Sequence, residues 1–121
     1  MAQRIYSAGQ LNQRVQFEVR GAAEDSLGEV DGAWVSDGTP VWAKVEPLRG
    51  DERVQAGALQ QPVDTLIIVR FSQARTDLDI MQRGLRLRWK GRVLGISTAL
   101  PVDGGRDWIE IYASTAAADV R

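Results

Sequence analysis

Leu85-Arg86-Leu87-Arg88-Trp89-Lys90-Gly91-Arg92-Val93-Leu94-Gly95-Ile96-Ser97 is the stretch on which the fold reading turns. Apolar and polar residues alternate on both sides of a Lys-Gly pair, the pattern of two half-buried strands joined by a two-residue turn. That turn sets Trp89 opposite Arg92, Leu87 opposite Leu94 and Leu85 opposite Ile96. Residues opposed in an antiparallel pair share a face, so Leu85, Leu87, Trp89, Leu94 and Ile96 collect on one side. Arg86 and Arg88 project from the other, beside Val93 and Gly95. A one-residue slip would throw the apolar set to the wrong face, so register and burial specify each other.

The flanking sequence repeats the theme. Arg14 to Arg20 alternates strictly, with Val15, Phe17 and Val19 on one face. Residues 21–40 hold Gly21, Gly28, Gly32, Gly38 and Pro40 among acids and read as an exposed acidic arm, with a short hairpin around Asp31-Gly32 and Trp34 and Val35 on its return. Val41 to Glu46 is a strand that Pro47 ends, since proline cannot donate to a central ladder. Arg49 to Pro62 is the least strand-like segment and favours a short helix weakened by Gly57, or a loop. Thr65 to Phe71 is apolar on both faces, which fits a strand covered on both sides or covered outside by another subunit. Thr76 to Arg83 reads as a polar turn ahead of the hairpin. Asp103-Gly104-Gly105 is another turn, Trp108 to Tyr112 another strand, and Ala113 to Arg121 a small-residue tail. Five or six short strands joined mostly by glycine turns predict one mainly all-β domain over residues 1–121: a small antiparallel barrel or sandwich with long loops and at most one short helix.

Composition agrees with that size and class. The 121 residues are 44% hydrophobic and 26% charged, with four Trp, enough for a core without disulfide or metal support. No apolar run approaches the roughly 20 residues needed to cross a bilayer, and no apolar signal segment follows Arg4, so synthesis in the cytoplasm is expected. The chain has no His and no Cys, the commonest acid–base, nucleophilic and zinc-ligand side chains. Ser7, Ser36 and Ser97 therefore have no imidazole base, and no glycine loop opens a helix to cradle phosphate. Asp77-Leu78-Asp79 would share a face on a strand and bind a divalent ion, but lacks further ligands and reads more simply as a solvated turn. The adhesion-type tripeptide Arg49-Gly50-Asp51 is too short to carry weight. No catalytic residue, cofactor or metal site is expected.

The net charge of −1 conceals an asymmetry. Residues 80–102 carry Arg83, Arg86, Arg88, Lys90 and Arg92 and no acid, whereas residues 21–38 carry Glu24, Asp25, Glu29, Asp31 and Asp37 and no base. Arg86, Arg88, Lys90 and Arg92 form a basic hairpin able to contact phosphates, but Trp89 falls on the core face, so the aromatic interleaving of a stacking platform is missing. The same face would equally be a solvated strand, or one side of a head-to-tail contact whose other side is Glu24, Asp25, Glu29 and Asp31.

Several segments, in order, resemble the head–tail joining (head-closure, stopper or adaptor) proteins of tailed bacteriophages. Gly9-Gln10-Leu11-Asn12-Gln13-Arg14-Val15 resembles that family's Gly-x-Leu-x-x-Arg lead into its first strand, and Gly28-Glu29 with Trp34 the middle of its first excursion. Trp42-Ala43, Glu46 and Arg49-Gly50-Asp51-Glu52 resemble its most recognisable block. Ile67 to Phe71 is similar to its Ile-x-x-Arg-Phe/Tyr strand, and Gly91 to Ile96 to its Gly-x-x-Tyr-x-Ile strand, with Leu94 where an aromatic is common.

The resemblance implies a small β-barrel with long loops and no catalytic residues. It implies a dodecameric ring in the virion neck, between the portal with its adaptor and the tail-completion or tail tube protein, that helps retain packaged DNA in the channel. The particle would be a phage, a prophage or a gene transfer agent, assembled in the bacterial cytoplasm and without a membrane partner. Arg49, Gly50, Asp51 and Glu52 would then belong to a partner- or channel-facing loop. The competing readings are a tail-completion protein of the same neck, a small nucleic-acid-binding barrel, and a hydrolase working through Asp77 and Asp79.

Overall fold

The computed structural model describes residues 6–21, 33–48, 63–102 and 105–115. After a single turn of 3₁₀ helix at Ala8–Gln10 come β1 (Gln13–Arg20), β2 (Trp34–Ser36), β3 (Val41–Pro47), β4 (Thr65–Arg70), α1 (Asp77–Gln82), β5 (Arg86–Trp89), β6 (Arg92–Pro101) and β7 (Trp108–Ser114). All pairings are antiparallel, and six strands close in the order β1-β3-β4-β7-β6-β5 and back to β1. The fold is therefore a barrel rather than a sandwich. β2 continues the line towards β3 and pairs with the end of β1, Glu18 opposite Ser36 and Arg20 opposite Trp34.

The hairpin has the expected register, with Trp89 opposite Arg92 and Leu87 opposite Leu94. Its turn residues Lys90 and Gly91 both have positive φ, 49° and 77°, as a two-residue turn matched to strand twist requires. Inward residues of β1, β4, β5, β6 and β7 make the core, including Val15, Phe17, Ile67, Leu87, Leu94, Ile109 and Ile111. Each large aliphatic side chain so buried stabilises the fold by roughly 2–3 kcal/mol. A bulge between Ile96 and Thr98 lets the ten-residue β6 bend as it follows the barrel wall.

Two sequence expectations change in detail. The segment before the hairpin is not a solvated turn but the helix α1, which Thr76 caps by accepting a hydrogen bond from the Asp79 amide. The signal was present, since Thr76 and Asp79 have the N-cap and N3 spacing, and the helix places Ile80 in the core. Ala113 and Ser114 belong to β7 rather than to a tail, because Ala113 packs fully buried against the core between Thr65 and Ile96. The acidic arm around Asp31-Gly32 and the 49–62 segment lie outside the described residues.

β4 is covered on both faces, and the chain itself supplies the outer cover over Ile68. Lys44, Ile68 and Glu110 form one outward row across β3, β4 and β7. The Tyr6 hydroxyl donates to Glu110 at 3.1 Å, and its ring lies 5.3 Å from Lys44 Nζ. A phenol that touches both ends of the row lies over its middle, and Ile68 is accordingly buried.

Gly91→Ala is expected to cost about 1 kcal/mol, because a Cβ there meets no neighbour and the penalty is the left-handed backbone alone. Urea denaturation of the two proteins measures it.

Candidate interaction surfaces

The outward face of the basic hairpin meets β1 where the barrel closes. Glu18 stands directly opposite Arg86 in that ladder, and Gln16 opposite Arg88. Arg86 Nε donates to Glu18 Oε1 at 2.7 Å and Arg88 Nε to Glu18 Oε2 at 3.1 Å, so both carboxylate oxygens are engaged. The Glu18 side chain is only 9% exposed and Arg86 17%, whereas Arg88 is 44% exposed. Burial by itself would lift the Glu18 carboxyl above its ordinary value. Hydrogen bonds and charge from Arg86 and Arg88 outweigh that and hold it below. Trp34 completes the seam, with the Arg86 guanidinium 4.3 Å and that of Arg20 6.0 Å from its ring centre.

Two of the four hairpin cations are thus engaged within the subunit. The other two stand at the tip: Arg92 is exposed, and Lys90 Nζ lies 5.2 Å from the ring of its neighbour Trp89. Trp89 itself turns inward, packs against the core and donates its indole N–H to Gln13 at 3.1 Å. The suggested acidic counterparts Glu24, Asp25, Glu29 and Asp31, and the loop residues Arg49, Gly50, Asp51 and Glu52, lie outside the described residues.

Asp37, the last acid of the acidic stretch, is engaged elsewhere in the subunit. It sits in the turn between β2 and β3 and meets Arg75 at 2.7 Å and Arg83. The same two arginines bind Asp79 of α1 at 2.7 and 3.1 Å, closing a ring of two carboxylates and two guanidiniums. Arg75 also donates to the Asp37 main-chain carbonyl and lies 4.3 Å from the Phe17 ring. This quartet ties α1 to the β2–β3 turn, and it takes up the Asp79 carboxylate that a metal or hydrolytic reading would require. Sequence reading missed Glu18, Asp37, Arg75 and Arg83 in these roles; the i,i+4 spacing of Arg75, Asp79 and Arg83 was a local signal for two of them, and Glu18 and Asp37 had none.

All four tryptophans carry a cation. Besides Trp34 and Trp89, Trp42 has Arg14 at 4.3 Å and Trp108 has Arg70 at 5.1 Å. The exposed Trp42 and the half-buried Trp34 face outward near opposite ends of β1, so the outward aromatics absent from the hairpin are supplied by the neighbouring strands.

Removal of the clamp separates its parts. Glu18→Ala is expected to cost about 3 kcal/mol, since it strands the largely buried Arg86, and Arg88→Ala no more than about 1 kcal/mol because that pair is half in water; urea denaturation ranks them. The hydrogen bond from Arg83 above all, then that from Arg75, holds the Asp37 carboxyl below its ordinary value against the opposing effect of burial. Because the folded-state value is the lower one for Asp37 and Glu18, their stabilisation is complete above the unfolded carboxylate range and is lost as pH falls through the folded values. Thermal stability should therefore decline as pH drops below about 4.5, and less steeply in Asp37→Asn than in the parent.

Comparison with known proteins identifies the architecture. Residues 6–116 match the family model described as phage head completion protein. The solution structure of protein SF1141 from Shigella flexneri 2a is similar, with TM-score 0.68 and 24% identity over 89% of this chain and 95% of that one. A chain in the virion of a native gene transfer agent particle is also similar, with TM-score 0.54 and 20% identity over 85% of this chain and 92% of that one. No curated protein matches the chain. With a six-stranded barrel, a basic hairpin and a family match from Tyr6 nearly to its end, the chain belongs to the phage head completion proteins.

Proposed function

We propose that the protein is a structural component of the virion neck of a tailed phage or phage-derived particle, forming a ring between the DNA-filled head and the tail. The observation that carries this reading is the family match over residues 6–116. The similarity to a chain of a gene transfer agent virion supports it. The ring would seat on the portal or its adaptor, offer its other face to a tail-completion or tail tube protein, and help hold packaged DNA in the channel. A closed ring needs two different, complementary patches per subunit. Many weak contacts then sum through effective concentration, so a monomeric free subunit is compatible with the ring.

The charge distribution refines which residues would serve. Arg86 and Arg88 are clamped to Glu18 within the subunit, so they support the barrel first and any contact second. Lys90 and Arg92 at the hairpin tip are the better contact candidates, with Glu24, Asp25, Glu29 and Asp31 as acidic partners on a neighbour. Arg49, Gly50, Asp51 and Glu52 fit a loop directed at the channel or at an adjoining ring.

Electron microscopy of particles made without this gene tests the reading: heads and finished tails should appear separately and rejoin on complementation. Normal tailed particles from the deletion would overturn it. Complementation with Lys90→Glu/Arg92→Glu should lower the yield of joined particles at least several-fold with an unchanged melting temperature, whereas Arg86→Glu should lower the melting temperature itself.

A further inference from the structure

The barrel wall opens where β3 and β4 part. β3 and β4 pair from Pro47 opposite Thr65 to Ala43 opposite Val69, and no ladder joins Val41 and Trp42 to the residues after Val69. Where the strands part, a cavity of about 740 Å³ opens. Leu11, Phe17, Val41 and Val69 give it an apolar floor, and the exposed Trp42 and Arg70 stand at its two lips. Trp42 is 51% exposed, with the Arg14 guanidinium stacked on it.

The charged residues that line this cavity are both cations, Arg70 and Arg75. Arg75 is engaged by Asp37 and Asp79. Arg70 makes no ion pair among the described residues; it lies over Trp108, an arrangement that leaves the N–H groups at its edge open to a carboxylate. Among the described residues that line the cavity, none is acidic.

We infer that the split between β3 and β4 is a docking site for a segment of another virion protein, one that carries a large apolar side chain within two residues of a carboxylate. The apolar side chain enters between Val41 and Val69, and the carboxylate meets Arg70. Charge complementarity sets this chemistry: an apolar cavity with an uncommitted cation at its rim selects an apolar group attached to an anion. Shape favours a polypeptide, because β3 runs two residues, Val41 and Trp42, past its last pair with β4, and that short edge can pair with an extended chain. Trp and Arg at the lips are also the residue types that most often dominate protein interfaces. The inference rests on the neck reading for the identity of the partner alone.

The test is binding of the full-length protein to short overlapping peptides that cover the other structural proteins of the source particle and this chain itself. Peptides from another structural protein should bind, share an apolar residue beside Asp, Glu or a free C-terminus, and lose affinity about tenfold when Asp becomes Asn or when the protein carries Arg70→Gln. Trp42→Ala should weaken the same peptides; both substitutions lie at exposed positions and leave the core intact. The inference is overturned if no peptide binds, if affinity is indifferent to Arg70→Gln, or if the bound peptides all come from this chain. Absence of peptide binding while the gene deletion still separates heads from tails removes the docking site and leaves the neck role. Arg70-dependent binding with normal tailed particles from the deletion removes the neck role alone.

Discussion

Closure of the barrel at the β1–β5 ladder is the constraint on which the rest of the molecule depends. β1 has only eight residues, yet it pairs with β3 near its start, with β5 in its middle and with β2 at its end. The β5 contact is three residue pairs long, and Glu18 reinforces it by binding two arginines from the opposing strand. A buried carboxylate is costly unless its oxygens are satisfied, and here both are. The closed ring of strands pairs most strand edges of the barrel body among the described residues, which limits indiscriminate strand pairing.

The second organising feature is the pairing of cations with aromatic rings. Four tryptophans in a chain of 121 residues are more bulky aromatic surface than the barrel interior holds, and only Trp89 packs against the core. The other three stand on the outside or at a strand end, each with an arginine over its ring. The stacked guanidinium shields an apolar face from water while keeping hydrogen-bond donors at its rim. Such a surface is soluble in the free subunit and still offers area and donors to a partner.

The two ion-pair networks divide the molecule's charge between fold and surface. Glu18 takes Arg86 and Arg88 at the closing seam, and Asp37 with Asp79 takes Arg75 and Arg83 at the helix. What remains for contact among the described basic residues of the hairpin is the tip, Lys90 and Arg92. The polarity read from the linear sequence is therefore narrower in the folded protein than the count of charges implies.

The hairpin register, the inward set of β1, the two-sided cover of β4 and the family resemblance were legible without coordinates. Each is written in residues adjacent along the chain or in a strict alternation. The helix at Asp77–Gln82 was legible in principle from Thr76 and Asp79, but the acidic content of the segment reads equally as a turn. The fate of the charges was not legible. Arg86 reaches Glu18 across 68 positions and Arg83 reaches Asp37 across 46. By itself the sequence determined strands, faces and the chemistry available, because periodicity is a property of neighbours along the chain. Only the tertiary structure decided which charges cancel, that Trp34 and Trp42 flank the basic face, and that β3 and β4 part over an apolar cavity, because strand order alone sets distant residues side by side.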